Sequence, residues 1–118
     1  MNPEKQRRTI AEACGWEVDE ERKTHGFRTL TDGCRTYTEL PDYLNDLNAM
    51  RGASDTLNDN QQWQFVQHLN EITRIKHESD SDDWFIHRTD WIWRMLNATA
   101  AQRAEAFLRT IGKWEESK

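Results

Sequence analysis

Apolar residues are scarce in this chain: 36% of its 118 residues are hydrophobic, whereas 31% are charged. That apolar share lies below the usual one for a globular domain, and it approaches the composition of segments that stay disordered. No apolar run comes near the roughly 20 residues that a membrane-spanning helix requires. Residues 1–13 are charged and carry no apolar stretch, so no export signal is read there and a cytoplasmic protein is expected. Cysteine is limited to Cys14 and Cys34, and in a reducing cytosol two such thiols are expected to stay unpaired. Clusters of positive charge are missing too. There are 16 Lys and Arg against 21 Asp and Glu, a formal net charge of −5. Between Glu39 and Asn60 the acids Glu39, Asp42, Asp46, Asp55 and Asp59 face only Arg51, and between Glu78 and Asp90 five acids face only Arg88. A phosphate-tracking face needs clustered Lys and Arg, so direct nucleic-acid binding is not expected. The acidic balance favours solubility and, where it is used for recognition, a basic partner.

What the chain does have is aromatic side chains: six Trp, four Phe and two Tyr. Each buries a large area, which argues for one folded domain over residues 1–118 with a small, aromatic-rich core. Residues 4–14 read as a first helix with Ile10, Ala11, Ala13 and Cys14 on its apolar side, stopped by Gly15. Trp16-Glu-Val18 begins an extended segment. Gly26–Leu30 and Cys34–Tyr37 then read as a β-hairpin closed at Asp32-Gly33, because glycine tolerates the positive φ of a tight turn. Pro41 is placed to open a second helix carrying Tyr43, Leu44, Leu47 and Met50 at helical spacing, with Leu57 continuing that face. Asn58-Asp-Asn60 is a break that caps a third helix over about residues 61–76, with Phe65, Val66, Leu69 and Ile72 on one side. Glu78–Asp83 is a polar loop, Trp84–Arg88 resembles a short strand, and Asp90–Leu96 is ambiguous between strand and helix. The last helix is the clearest. Thr99 and Gln102 stand at capping-box spacing, Ala101, Ala104, Leu108 and Ile111 form an apolar face with Phe107 beside it, and Gly112 stops it.

Ile10–Trp16, the Asp32-Gly33 hairpin, the run Leu-Pro-Asp-Tyr-Leu-Asn-Asp-Leu-Asn-Ala-Met ending at Met50, and Ala98–Trp114 together resemble the phage ABA sandwich domain family of small bacteriophage and prophage proteins. The resemblance implies an α+β fold, α-β-α sandwich-like, in which helices pack over a small antiparallel sheet. It also implies a phage or prophage origin and the cytosol of a bacterial host as the place of action. It carries no catalytic residues, since none is assigned to the family.

No spacing in the chain points clearly to catalysis. Cys14, Cys34 and the four histidines supply metal-ligand types, yet no pair stands at Cys-x2-Cys or His-x3-His spacing, and isolated thiols are the simpler reading. The Asp80–Asp83 run lacks the central Gly and the placed Glu of a calcium loop. Asp42 and Asp46, four apart, are one pair available for acid–base work, but Asp at a helix start ordinarily serves the helix dipole. Neither a metal nor a cofactor is implied.

The richest cluster is Trp84, Phe85, His87, Arg88, Trp91 and Trp93 beside Asp80, Asp82 and Asp83. Aromatics interleaved with Arg serve either as core, as interface anchors or as stacking platforms. The expected function is therefore non-enzymatic: a phage-encoded protein that binds and blocks a host factor, such as a component of antiviral defence, stoichiometrically. Asp80, Asp82, Asp83, Trp84, Arg88, Trp91 and Trp93 are the candidate contacts, and a basic, nucleic-acid-binding protein surface is the candidate target. A module that sequesters a nucleotide signal, using Arg88 or Arg94 beside Trp84 and Trp91, is the alternative. A self-associating structural protein that forms a homodimer is the third reading.

Overall fold

A computed structural model describes residues 1–30, 32–73, 92–93 and 95–116. The fold is α+β, with helices α1 (Pro3–Ala13), α2 (Leu47–Ser54), α3 (Asp59–Thr73) and α4 (Ala100–Thr110) and strands β1 (Glu17–Val18), β2 (His25–Thr29) and β3 (Arg35–Glu39). The strands form one antiparallel sheet in the order β1-β2-β3. The expected loop Glu78–Asp83 and strand Trp84–Arg88 lie outside the described residues. Of the ambiguous stretch 90–96, residues 92–93 and 95–96 are helical.

Side chains at the helix ends set where each helix begins. Asn2 accepts from the Lys5 amide with Pro3 in the first turn, Asn58 and Gln61 exchange side-chain-to-backbone bonds before α3, and Thr99 and Gln102 close a full capping box on α4. α1 and α4 end alike. The amide of the residue after the glycine returns to a carbonyl five positions back, Trp16 to Ala11 at 2.9 Å and Lys113 to Leu108 at 2.8 Å. Gly15 and Gly112 supply the positive φ that this ending needs.

Leu47 and Ala13, expected on the apolar faces of their helices, are exposed, and two further expectations need correction. Pro41 does not open α2. Asp42 first holds a separate turn by accepting the Asp46 amide at 2.9 Å, and the Asp46 carboxylate then accepts from the Asn48 and Ala49 amides, so the helix starts at Leu47. Capping by Asp46 outweighs the preference of proline for the first turn. The second correction concerns α4. Ala101 is exposed, whereas Ala100, Ala104, Ala106, Phe107 and Leu108 are buried. At 100° per residue Ala106 lies almost opposite Leu108, so α4 buries more than one face.

The reason is that α4 touches α1, α2 and α3. Its alanines leave room for close helix approach, and Phe107 and Leu108 are wholly buried among Ile10, Met50, Phe65 and Leu69. The sheet joins this cluster through Leu40, at the end of β3. Arg7 fixes that junction from α1, donating to the carbonyls of Leu40 and Pro41 and standing 3.5 Å from Glu39. Gly26 faces inward here. A Cβ at that position would come within 2.7 Å of the Glu17 carbonyl and 3.2 Å of the Leu40 side chain, so the β1–β2 contact admits only glycine.

Truncating Phe107→Ala is expected to cost about 3–5 kcal/mol, and enlarging Ala104→Leu roughly 1–3 kcal/mol through overpacking. Urea unfolding followed by circular dichroism measures both. A loss below about 0.5 kcal/mol in each variant contradicts the packing described.

Candidate functional site

Of the sequence-identified contacts, Trp93 lies within the described residues; Asp80, Asp82, Asp83, Trp84, Arg88 and Trp91 lie outside them. Trp93 is 66% exposed and Leu96 71% exposed, with Ile92 also open to solvent. Positions 92, 93 and 96 fall on one side of a helical turn, and Met95, on another side, packs against the core. The result is an apolar ridge with an anchored base. Arg103 of α4 donates to the carbonyls of Met95 (3.0 Å) and Ala98 (3.2 Å), and the Asn97 side chain donates to the Trp93 carbonyl at 2.8 Å. The carbonyls of Trp93, Met95 and Ala98 are thereby satisfied, and the ridge is tied to α4.

A concave feature was not legible in the sequence. Cys14, Trp16, Arg28, Pro41, Tyr43, Asn48, Ala49, Gly52 and Ala53 line a cleft of about 230 Å³ where α1, β2 and α2 meet. The Arg28 guanidinium lies over the Trp16 ring, 5.7 Å from its centroid. Burial pushes the Cys14 thiol up, although the Tyr43 and Thr56 hydroxyls and Arg28 oppose the shift. Burial likewise pushes the Tyr43 phenol up, reinforced by the neighbouring thiol. A thiol held protonated is a poorer nucleophile than its thiolate. Pairs contributed by separate elements, such as Trp16 with Arg28, leave no trace in local spacing.

The other candidates take structural roles. Asp46 caps α2. Asp42 accepts from the Asn45 side-chain amide at 3.2 Å on both oxygens. Both cysteines are free, Cys14 half-buried and Cys34 exposed at the hairpin turn. Among the described residues no group of three or more His, Cys, Asp and Glu is placed to hold a metal ion, and no helix is long and apolar enough to cross a membrane.

Compared with protein-family models, with curated proteins and with solved structures, the chain finds no match.

The half-buried Cys14 thiol and the buried Tyr43 phenol should make stability depend on alkaline pH. Both pKa values are raised by folding, so the unfolded chain releases these protons first. The stability these two groups contribute is full below the ordinary thiol value of 9.0 and falls as pH climbs from there through the higher folded values. The unfolding free energy should decline above that point, and the decline should flatten in the Cys14→Ala, Tyr43→Phe double variant. An identical slope in both proteins would show that these groups titrate freely in the fold.

Proposed function

We propose that this chain is a phage- or prophage-encoded binding protein of the ABA sandwich kind, which acts on a host protein by stoichiometric contact and not by catalysis. The observation that carries this reading is the exposed ridge of Ile92, Trp93 and Leu96 on a turn locked to α4. Three large apolar side chains kept in water are what a binding anchor requires, and Trp is strongly enriched among residues that dominate interface energetics. The acidic run Asp80–Asp83 precedes the ridge in sequence, and the net charge is −5. A target with a basic rim around an apolar pocket, such as a nucleic-acid-binding host protein, complements both features. On this reading Asp80, Asp82, Asp83 and Arg88 contribute polar contacts, and Trp84 and Trp91 join Trp93 as anchors.

The test is affinity capture from bacterial host lysate with the intact chain and with Trp93→Ala and Leu96→Asp, each first checked for an unchanged melting temperature. A hot-spot loss of about 2 kcal/mol corresponds to roughly 30-fold weaker binding, so a partner held by the parent should drop from both variants. Retention of the same partner by both variants removes the ridge from the site.

A further inference from the structure

The outer edge of the sheet has a property that the ridge does not use. Among the described residues the order is β1-β2-β3, so β3 is an edge strand of five residues, while the opposite edge, β1, has two. The register pairs Phe27 with Tyr37, Thr29 with Arg35 and His25 with Glu39. Leu30 donates to the Cys34 carbonyl and Leu40 to the Thr24 carbonyl, at 2.8 Å each, so the pairs that exchange backbone bonds are the alternate ones, Arg28 with Thr36 and Gly26 with Thr38. It follows that the N–H and C=O groups of Arg35, Tyr37 and Glu39 point away from β2, along the free edge. Among the described residues the single bond to any of them is the Thr38 hydroxyl donating to the Glu39 carbonyl.

Natural edges are usually blunted by charged side chains, Lys above all, by Pro, a bulge or extreme shortness. This one has no Lys or Pro between Arg35 and Glu39, and its two charges are of opposite sign. It is instead self-complementary. Read antiparallel against itself about Tyr37, Arg-Thr-Tyr-Thr-Glu sets Arg35 opposite Glu39, Thr36 opposite Thr38, and Tyr37 opposite Tyr37. The parity also fits, because the residues brought into hydrogen-bonded register are the three whose backbone groups face outward.

We propose that a second copy of this chain pairs antiparallel with β3 across a two-fold axis at Tyr37, making a continuous six-stranded sheet. Arg35 and Glu39 of each copy exchange both backbone bonds with Glu39 and Arg35 of the other, and the two Tyr37 residues do the same. Side chains reinforce the register. Arg35 already pairs with Glu17, and Glu39 with Arg7, in contacts whose carboxylates are exposed. Across the dyad these join as a chain of alternating charge: Arg7, Glu39, the second copy's Arg35, the second copy's Glu17. On the same face Tyr37 packs on Phe27, with ring centroids 4.8 Å apart, and the second copy extends that aromatic row. A register shifted to a Thr36 centre would face Arg35 with Tyr37 and leave Glu39 unopposed. One short strand per copy makes a small interface, so the dimer belongs with the weak, concentration-dependent class.

Sedimentation velocity of the full chain over about a hundredfold concentration range should show the dimer growing as concentration rises. Arg35→Glu alone, or Glu39→Arg alone, sets like charges opposite each other and should leave monomer throughout. An equimolar mixture of the two variants restores opposite charge at every position and should dimerise again. A parent that stays monomeric, a dimer indifferent to either reversal, or a mixture that remains monomeric each overturns the proposal. Exchange of the Tyr37 amide in the unaltered chain gives a readout independent of how the variants fold. It should slow as concentration rises, and a constant fast rate would rule out pairing at this edge.

Discussion

Burial of α4 is the constraint on which the rest of the structure depends. A helix with Ala104, Ala106, Phe107 and Leu108 all withdrawn from water cannot stand at the rim of a two-layer packing; it must be enclosed. Enclosure comes from α1, α2 and α3 together, and the alanines permit it by keeping the helix thin. A chain with so few aliphatic side chains thus obtains a core by surrounding one helix, so that a small number of large side chains each meet several neighbours. Among the described aromatics Phe107, Phe65 and Tyr43 are buried and Trp16 and Trp114 pack against the core, while Trp63 and Trp93 are exposed.

The candidate surfaces take their positions from a few such contacts. Arg103, on α4, holds the turn that presents Trp93 and Leu96. Arg7, on α1, holds the exit of β3, and thereby the direction of the strand that lies at the sheet's edge among the described residues. The cleft around Tyr43 lies where the segment leaving the sheet turns into α2. In the first two cases an arginine satisfies backbone carbonyls at a chain reversal, so that an irregular segment is tied to a regular one.

Much of this was legible in the sequence wherever local chemistry decides the outcome. The capping residues Thr99 and Gln102, the Gly15 and Gly112 stops and the Asp32-Gly33 turn are all local signals, and each stands where expected. The start of α2 was misjudged because two local signals compete within six residues, and the preference of Pro41 yields to the hydrogen bonds made by Asp46. The buried face of α4 was misjudged for a different reason. Period counting finds the apolar stripe of a helix with one packed side, and Ala106 is buried through tertiary contact that no period reports. The exposed state of Trp93 was not readable, since a tryptophan in a polar chain reads equally as core or anchor. The self-complementarity of Arg35–Glu39 is visible in the sequence, yet it gains meaning from the register, which assigns the outward backbone groups to Arg35, Tyr37 and Glu39.

The most direct test of the account is residue-resolved amide hydrogen exchange under native conditions. If α4 is the enclosed hub, the amides of Ala104 to Leu108 exchange only through global unfolding, and their protection equals the full unfolding free energy. They should be the slowest in the molecule, slower than those of α2 or the sheet. Sheet amides that outlast them, or α4 amides that exchange through local opening, would contradict the central place assigned to that helix.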